Sequence, residues 1–123
     1  MRKWASLLFV VMCVAACGKA GRERAAIAAT GGDPGSGASA VTRYGCGSCH
    51  TISGVTGANG LAGPPLDGLR RRTYIAGELS NNTDNLMHWV RHPLSVHQKT
   101  AMPELGVTAK DARDIAAFLY SLR

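Results

Sequence analysis

The sequence predicts a small all-α domain, on three observations. An apolar stripe at helical spacing runs to residue 122, a second amphipathic segment stops ahead of Pro93, and a Cys-x-x-Cys-His pentapeptide, Cys46-Gly47-Ser48-Cys49-His50, sits where a short helical turn is expected. The first helix is expected over about 38–45, where Val41 and Tyr44 lie three apart on one face and lead straight into the pentapeptide. Another begins at an Asn82-Thr83 cap and carries Leu86, Trp89 and Val90 at i, i+3 and i+4. It must end before Pro93, because proline disfavours the α conformation in the residue that precedes it. The last helix starts at Thr108, which forms a variant capping pair with Asp111, and buries Ala112, Ile115, Ala116, Leu119 and Leu122. No strand alternation competes with it.

The pentapeptide carries the chemistry. Two thiols three positions apart on one turn can add across the two vinyl groups of a haem, and the adjacent imidazole then lies under the iron. Three other readings compete. A thioredoxin-type dithiol follows a β-strand in a βαβ unit, whereas residues 40–45 are too short and mixed for a buried strand. A structural zinc site needs a second ligand pair, which only His88, His92 and His97 supply. A plain disulfide between Cys46 and Cys49 leaves His50 unexplained.

The amino-terminal end reads as an export signal. Met1-Arg2-Lys3 precedes an apolar run from Trp4 to Ala16, long enough for a secretory signal and short for a membrane span. Val14-Ala15-Ala16 before Cys17 resembles the bacterial lipobox, so residues 1–16 are expected to be a signal peptide and Cys17 a lipidated amino terminus. The competing reading is ordinary cleavage at a small-residue site. Lipidation implies a protein on the periplasmic side, held to a bacterial membrane. Cys13 falls in the discarded run, and haem attachment outside the cytoplasmic membrane agrees with export. Residues 17–37, rich in Gly and Ala and closed by Asp33-Pro34-Gly35-Ser36-Gly37, read as a flexible linker spanning about 25 Å, with a transiently helical stretch over 22–29.

The folded unit is then 38–123, small enough that its apolar content alone gives a marginal core. Apoprotein is therefore expected to be largely unfolded. The formal charge is +6; without Arg2 and Lys3 it is 12 − 8 = +4. That excess suits docking on acidic protein surfaces and gives no nucleic-acid signature.

From Gly37 to Arg123 the order of signals resembles the class I c-type cytochrome family. The matching residues are Gly37-x-x-x-Val41 for the crossing of first and last helices, Cys46-Gly47-Ser48-Cys49-His50, and Gly63-Pro64-Pro65-Leu66-Asp67-Gly68-Leu69. The resemblance implies a small class I cytochrome c fold, with short helices wrapped around one covalently bound haem c. It implies that the Pro64 carbonyl accepts the Nδ1 proton of His50, fixing the tautomer. It also implies that Met102, nine positions beyond Pro93 in Lys99-Thr100-Ala101-Met102-Pro103, is the second metal ligand opposite His50. His97 is the rival for that position, and Met87 is expected to pack within its helix. By the same resemblance Trp89 and Val90 line the distal side, Leu66 and Leu69 the proximal side, and Arg72 and Thr100 meet the propionates, with Tyr74 able to share that role. The competing reading of Arg70, Arg71 and Arg72 is a solvated basic loop, expected for at least two of the three.

An iron with both axial positions filled suits single-electron transfer, without substrate turnover, between respiratory complexes or into a terminal oxidase. The segments around Gly63–Leu69 and Met102 also resemble cytochrome domains associated with oxidases. A peroxidase or gas-binding haem protein, which needs a vacant sixth position, and a dedicated haem subunit of an oxidase or dehydrogenase are the alternatives. The sequence carries no catalytic triad, carboxylate pair or phosphate loop.

Overall fold

Asp33 and Pro34 start the helix that carries the attachment site. The computed structural model describes residues 18–123; the expected signal peptide, Cys13 and Cys17 lie outside the described residues. In chain order the helices are α1 (18–30), α2 (Pro34–Arg43), α3 (Thr83–Arg91), α4 (Pro93–Val96) and α5 (Ala109–Ser121). Two 3-10 turns, Cys46–Ser48 and Leu69–Arg71, and a two-stranded hairpin, β1 (Tyr74–Ile75) with β2 (Leu79–Ser80), complete the described fold. The all-α class holds.

The flexible linker expected before residue 38 is corrected. Residues 18–30 are helical, Ala26 is fully buried, and Arg22 Nε donates to the Ser121 carbonyl at 3.1 Å while Thr83 Oγ1 donates to the Ala29 carbonyl at 3.0 Å. Alanine, the strongest helix former, dominates this segment, so a composition that looks like a linker also suits a helix. α2 likewise begins four residues before its expected start. The Asp33 side chain accepts from Ser36 N at 2.6 Å, and Pro34 occupies the first turn, where its missing N–H costs nothing.

α2 crosses α5 at Gly37, as the resemblance implied. A Cβ there would lie 2.6 Å from the Asp114 carbonyl carbon and 2.7 Å from Phe118 Cβ, so only glycine admits this approach. Val41 and Ala40 continue the buried face. Asp114, itself buried, ties the crossing to the turn before α2: its Oδ1 accepts from Asp33 N at 2.9 Å and its Oδ2 from Lys110 Nζ at 2.7 Å.

A second tie joins the end of α2 to the start of α5. The Tyr44 hydroxyl donates to Asp111 Oδ2 at 2.7 Å, Arg43 stands 3.1 Å from the same oxygen, and Thr108 caps α5 through Asp111 N at 3.1 Å. Hydrogen bonds from Tyr44 first, then Thr108 and Arg43, hold the Asp111 carboxyl below its ordinary range. A lowered folded-state pKa gives stability that is present above the unfolded value, about 3.9 for Asp, and lost as pH falls through the folded value. Thermal melts of holoprotein should therefore lose Tm more steeply below about pH 4 in the native protein than in Asp111→Asn. Equal slopes would remove Asp111 from the acid response.

α3 and α5 stand close to their expected positions. Asn82 accepts from Asn85 N at 2.9 Å, Thr108 caps α5, and Leu86, Val90, Ile115 and Leu119 are buried. α3 stops at Arg91 as Pro93 requires, yet Pro93 itself begins the four-residue α4. The hairpin pairs Tyr74 with Ser80 and Ile75 with Leu79 through a turn in which Ala76 and Gly77 take positive φ, 54° and 72°.

Candidate haem site

α2 delivers the chain to Gly45, whose φ of 73° reverses it into the turn Cys46–Ser48. Cys49 N and His50 N both donate to the Cys46 carbonyl, at 3.2 and 3.0 Å, which winds the two thiol-bearing residues and the histidine into one tight turn. Cys46 is half-buried, Cys49 is exposed, and neither forms a disulfide. Burial pushes the Cys46 thiol up from its ordinary pKa.

The next segment folds back over this turn. Gly60 N donates to the Gly47 carbonyl at 3.1 Å, Gly63 N to the Cys49 carbonyl at 2.7 Å, and Leu66 N to the Thr51 carbonyl at 3.0 Å. These three bonds bring Pro64 to His50, whose Nδ1 lies 2.7 Å from the Pro64 carbonyl oxygen. A carbonyl only accepts, so Nδ1 holds the proton and Nε2 keeps its lone pair. Gly63 lies flat beneath the ring: a Cβ there would stand 2.6 Å from Nδ1 and 2.9 Å from Nε2.

Arg72 and Asp67 brace the Pro64 loop. The Arg72 guanidinium donates to the main-chain carbonyls of Pro65 and Asp67, the latter at 3.4 Å, and Asp67 accepts from Ser53 N at 3.1 Å and Ser53 Oγ at 2.6 Å. Five guanidinium N–H donors leave Arg72 others to offer a propionate. Leu69 is buried, while Leu66 is half-buried against the same core as Cys46 and Trp89.

On the far part of the chain, Val90 is buried, and Trp89 and Met87 are half-buried, all on α3. Met102 is half-buried outside any helix, and its N–H donates to Thr100 Oγ1 at 3.1 Å, so Thr100 fixes the backbone that presents the thioether. His97 is exposed, its Nδ1 2.8 Å from Glu78 Oε1 in the hairpin turn. His88 Nε2 meets Ser95 Oγ at 3.0 Å. Among the described residues no group of three or more His, Cys, Asp or Glu could hold a metal ion, so the set a structural zinc would need is not assembled. Tyr74 is exposed, and Arg70 lies over the Tyr120 ring at 5.6 Å.

Asn81 and Gly63 are the structural contributors that sequence reasoning missed. Asn81 Nδ2 donates to the carbonyls of Leu69 and Arg72, at 2.7 and 2.8 Å, and its Oδ1 accepts from the Tyr120 hydroxyl at 2.7 Å. It thus ties the bracing loop to α5. Nothing local to Asn81 signals this, whereas Gly63 stands within a motif in which the resemblance gives roles only to Pro64, Leu66 and Leu69.

Two unpaired thiols and a histidine on one turn, with the imidazole tautomer locked and its Nε2 uncommitted, fit the haem that the motif calls for. Such a turn on a mostly helical domain defines a c-type haem protein. The family model described as Cytochrome c matches residues 36–123, and the chain belongs to the cytochrome c family. It is therefore an electron carrier of the class I type with one covalently attached haem c. The chain is also 37% identical over 79 residues to cytochrome c oxidase subunit 2 of Alkalihalophilus pseudofirmus, covering 63% of this chain and 22% of that relative. It thus spans less than a quarter of that protein's length. No solved structure matches the chain.

Proposed function

We propose that this protein carries single electrons in a respiratory chain, with Cys46 and Cys49 as haem attachment points and His50 and Met102 as the two iron ligands. The observation that carries this reading is the 2.7 Å contact between His50 Nδ1 and the Pro64 carbonyl. Holding the proton on Nδ1 directs a basic Nε2 outward from a ring that Gly63 and the backbone already fix. Bound haem c supplies the one-electron couple. Met102, steadied by Thr100, contributes a thioether that raises the potential relative to a second imidazole. Leu66, Leu69, Trp89 and Val90 exclude water around that centre, and Arg72 and Thr100 offer donors to the propionates.

Ferric holoprotein should show the weak long-wavelength sulfur-to-iron absorption of methionine-ligated cytochromes. Met102→Ala should abolish it, while His97→Ala leaves it intact. Survival of the band in Met102→Ala, or its loss in His97→Ala alone, would reassign the ligand.

The oxidase-subunit relative favours a terminal oxidase as the electron acceptor, either met transiently or joined permanently as a haem subunit. Copurification with an oxidase at fixed stoichiometry supports the permanent arrangement. The protein is read as exported to the periplasmic side and held to a bacterial membrane by lipid on Cys17. Support for this comes from the charged start, the short apolar run and the small residues before that cysteine.

A further inference from the structure

We propose that the end of the molecule where α1 begins is a membrane-facing surface, recognising the anionic phospholipid headgroups of the bilayer that holds the acyl chains on Cys17. The proposal rests on the lipoprotein reading and adds a fixed orientation to it. Gly18 follows that cysteine in the chain, and two arginine guanidiniums converge on it. A Cβ at Gly18 would lie 3.6 Å from an Arg22 guanidinium nitrogen and 3.8 Å from that of Arg123. Arg71 lies beside Gly68, whose Cβ would stand 2.9 Å from the Arg71 guanidinium and 3.6 Å from a main-chain oxygen of Arg123.

Among the described residues no carboxylate pairs with Arg22, Arg71 or Arg123, whereas the nearby Lys19 and Glu23 pair with each other at 3.8 Å. α1 is docked: Ala26 is buried and Arg22 is bonded to the Ser121 carbonyl, so the exit point cannot swing away from the arginines. Acyl chains on Cys17 would bring this face to the lipid surface, where each Lys or Arg adds attraction to anionic headgroups that fades within about a Debye length. A protein docking site would have no reason to coincide with the exit of the anchor.

The test uses exported, signal-cleaved holoprotein carrying Cys17→Ser, so that acyl chains do not mask the electrostatic attraction. It should bind vesicles of phosphatidylcholine with added phosphatidylglycerol and not vesicles of phosphatidylcholine alone, and salt should weaken the binding. Arg22→Gln and Arg123→Gln should each weaken it about fivefold, and the equal charge change Lys99→Gln should weaken it less. Equal binding to both vesicles, or equal loss from Lys99→Gln, would overturn the proposal. So would unchanged vesicle binding in the arginine variants, and slower electron transfer to an oxidase in detergent would then assign the surface to a protein partner. Mass spectrometry of the full matured chain for an acyl adduct on Cys17 reads the anchor separately, so either idea can fail alone.

Discussion

Gly63→Ala should dislodge the proximal imidazole. The added methyl would meet the His50 ring at 2.6 Å from Nδ1 and closer still at Cε1, well inside contact distance. The ring must tilt or the Gly63–Pro64 backbone must retreat, and either movement lengthens the bond to the Pro64 carbonyl. Loss of such an outer partner weakens metal ligation by about 10–100-fold in comparable sites. Ferric holoprotein carrying this variant should show a large high-spin fraction by electron paramagnetic resonance and a shifted midpoint potential. A low-spin spectrum and potential identical to the native protein would mean that the close approach has no bearing on the iron.

The second large effect is structural. Gly37→Val places a branched side chain between α2 and α5, where the nearest atoms are the Asp114 main chain and Phe118 Cβ. Backbone cannot rotate aside as a side chain tip can, so the helices must separate along the crossing that also buries Val41 and Ala40. Overpacking of this kind costs about 3 kcal/mol. For a domain of this size that corresponds to a Tm lower by about 10–20 °C in holoprotein. Gly35→Val, close by but facing the Asp33 side chain rather than α5, should cost much less. Equal losses from both variants would show that helix propensity, not the crossing, sets the effect.

The parts of the fold legible in the sequence share one property: their signals are local. Asn82 and Thr108 cap their helices through bonds three residues long, and the stripe from Ala112 to Leu119 declares its buried face by spacing alone. The pentapeptide is likewise contiguous. What escaped was either disguised or distant. An Ala-rich helix with a Gly-rich flank has the composition of a linker, so α1 was hidden until its contacts with Ser121 and Thr83 placed it. Asp33-Pro34 is a helix start that its glycine neighbours obscured. A hairpin of two residues per strand is too short to alternate. Asn81, reaching Leu69, Arg72 and Tyr120, depends wholly on residues far along the chain, and no local pattern announces such a partner.

The Pro64 contact shows how resemblance and geometry complement each other. A proline pair in isolation reads as a stiff loop. The return of Gly60, Gly63 and Leu66 onto the attachment turn gives that stiffness a purpose, because it presents one carbonyl to one imidazole nitrogen.

An iron closed on both sides should be inert to carbon monoxide, and that gas probes the closure directly. Matured, reduced holoprotein at neutral pH should not change its optical spectrum under carbon monoxide, whereas Met102→Ala should bind the gas readily. Uptake by the native protein at rest would contradict the account, since it would reveal an open coordination position and a haem suited to ligand chemistry rather than to electron carriage alone.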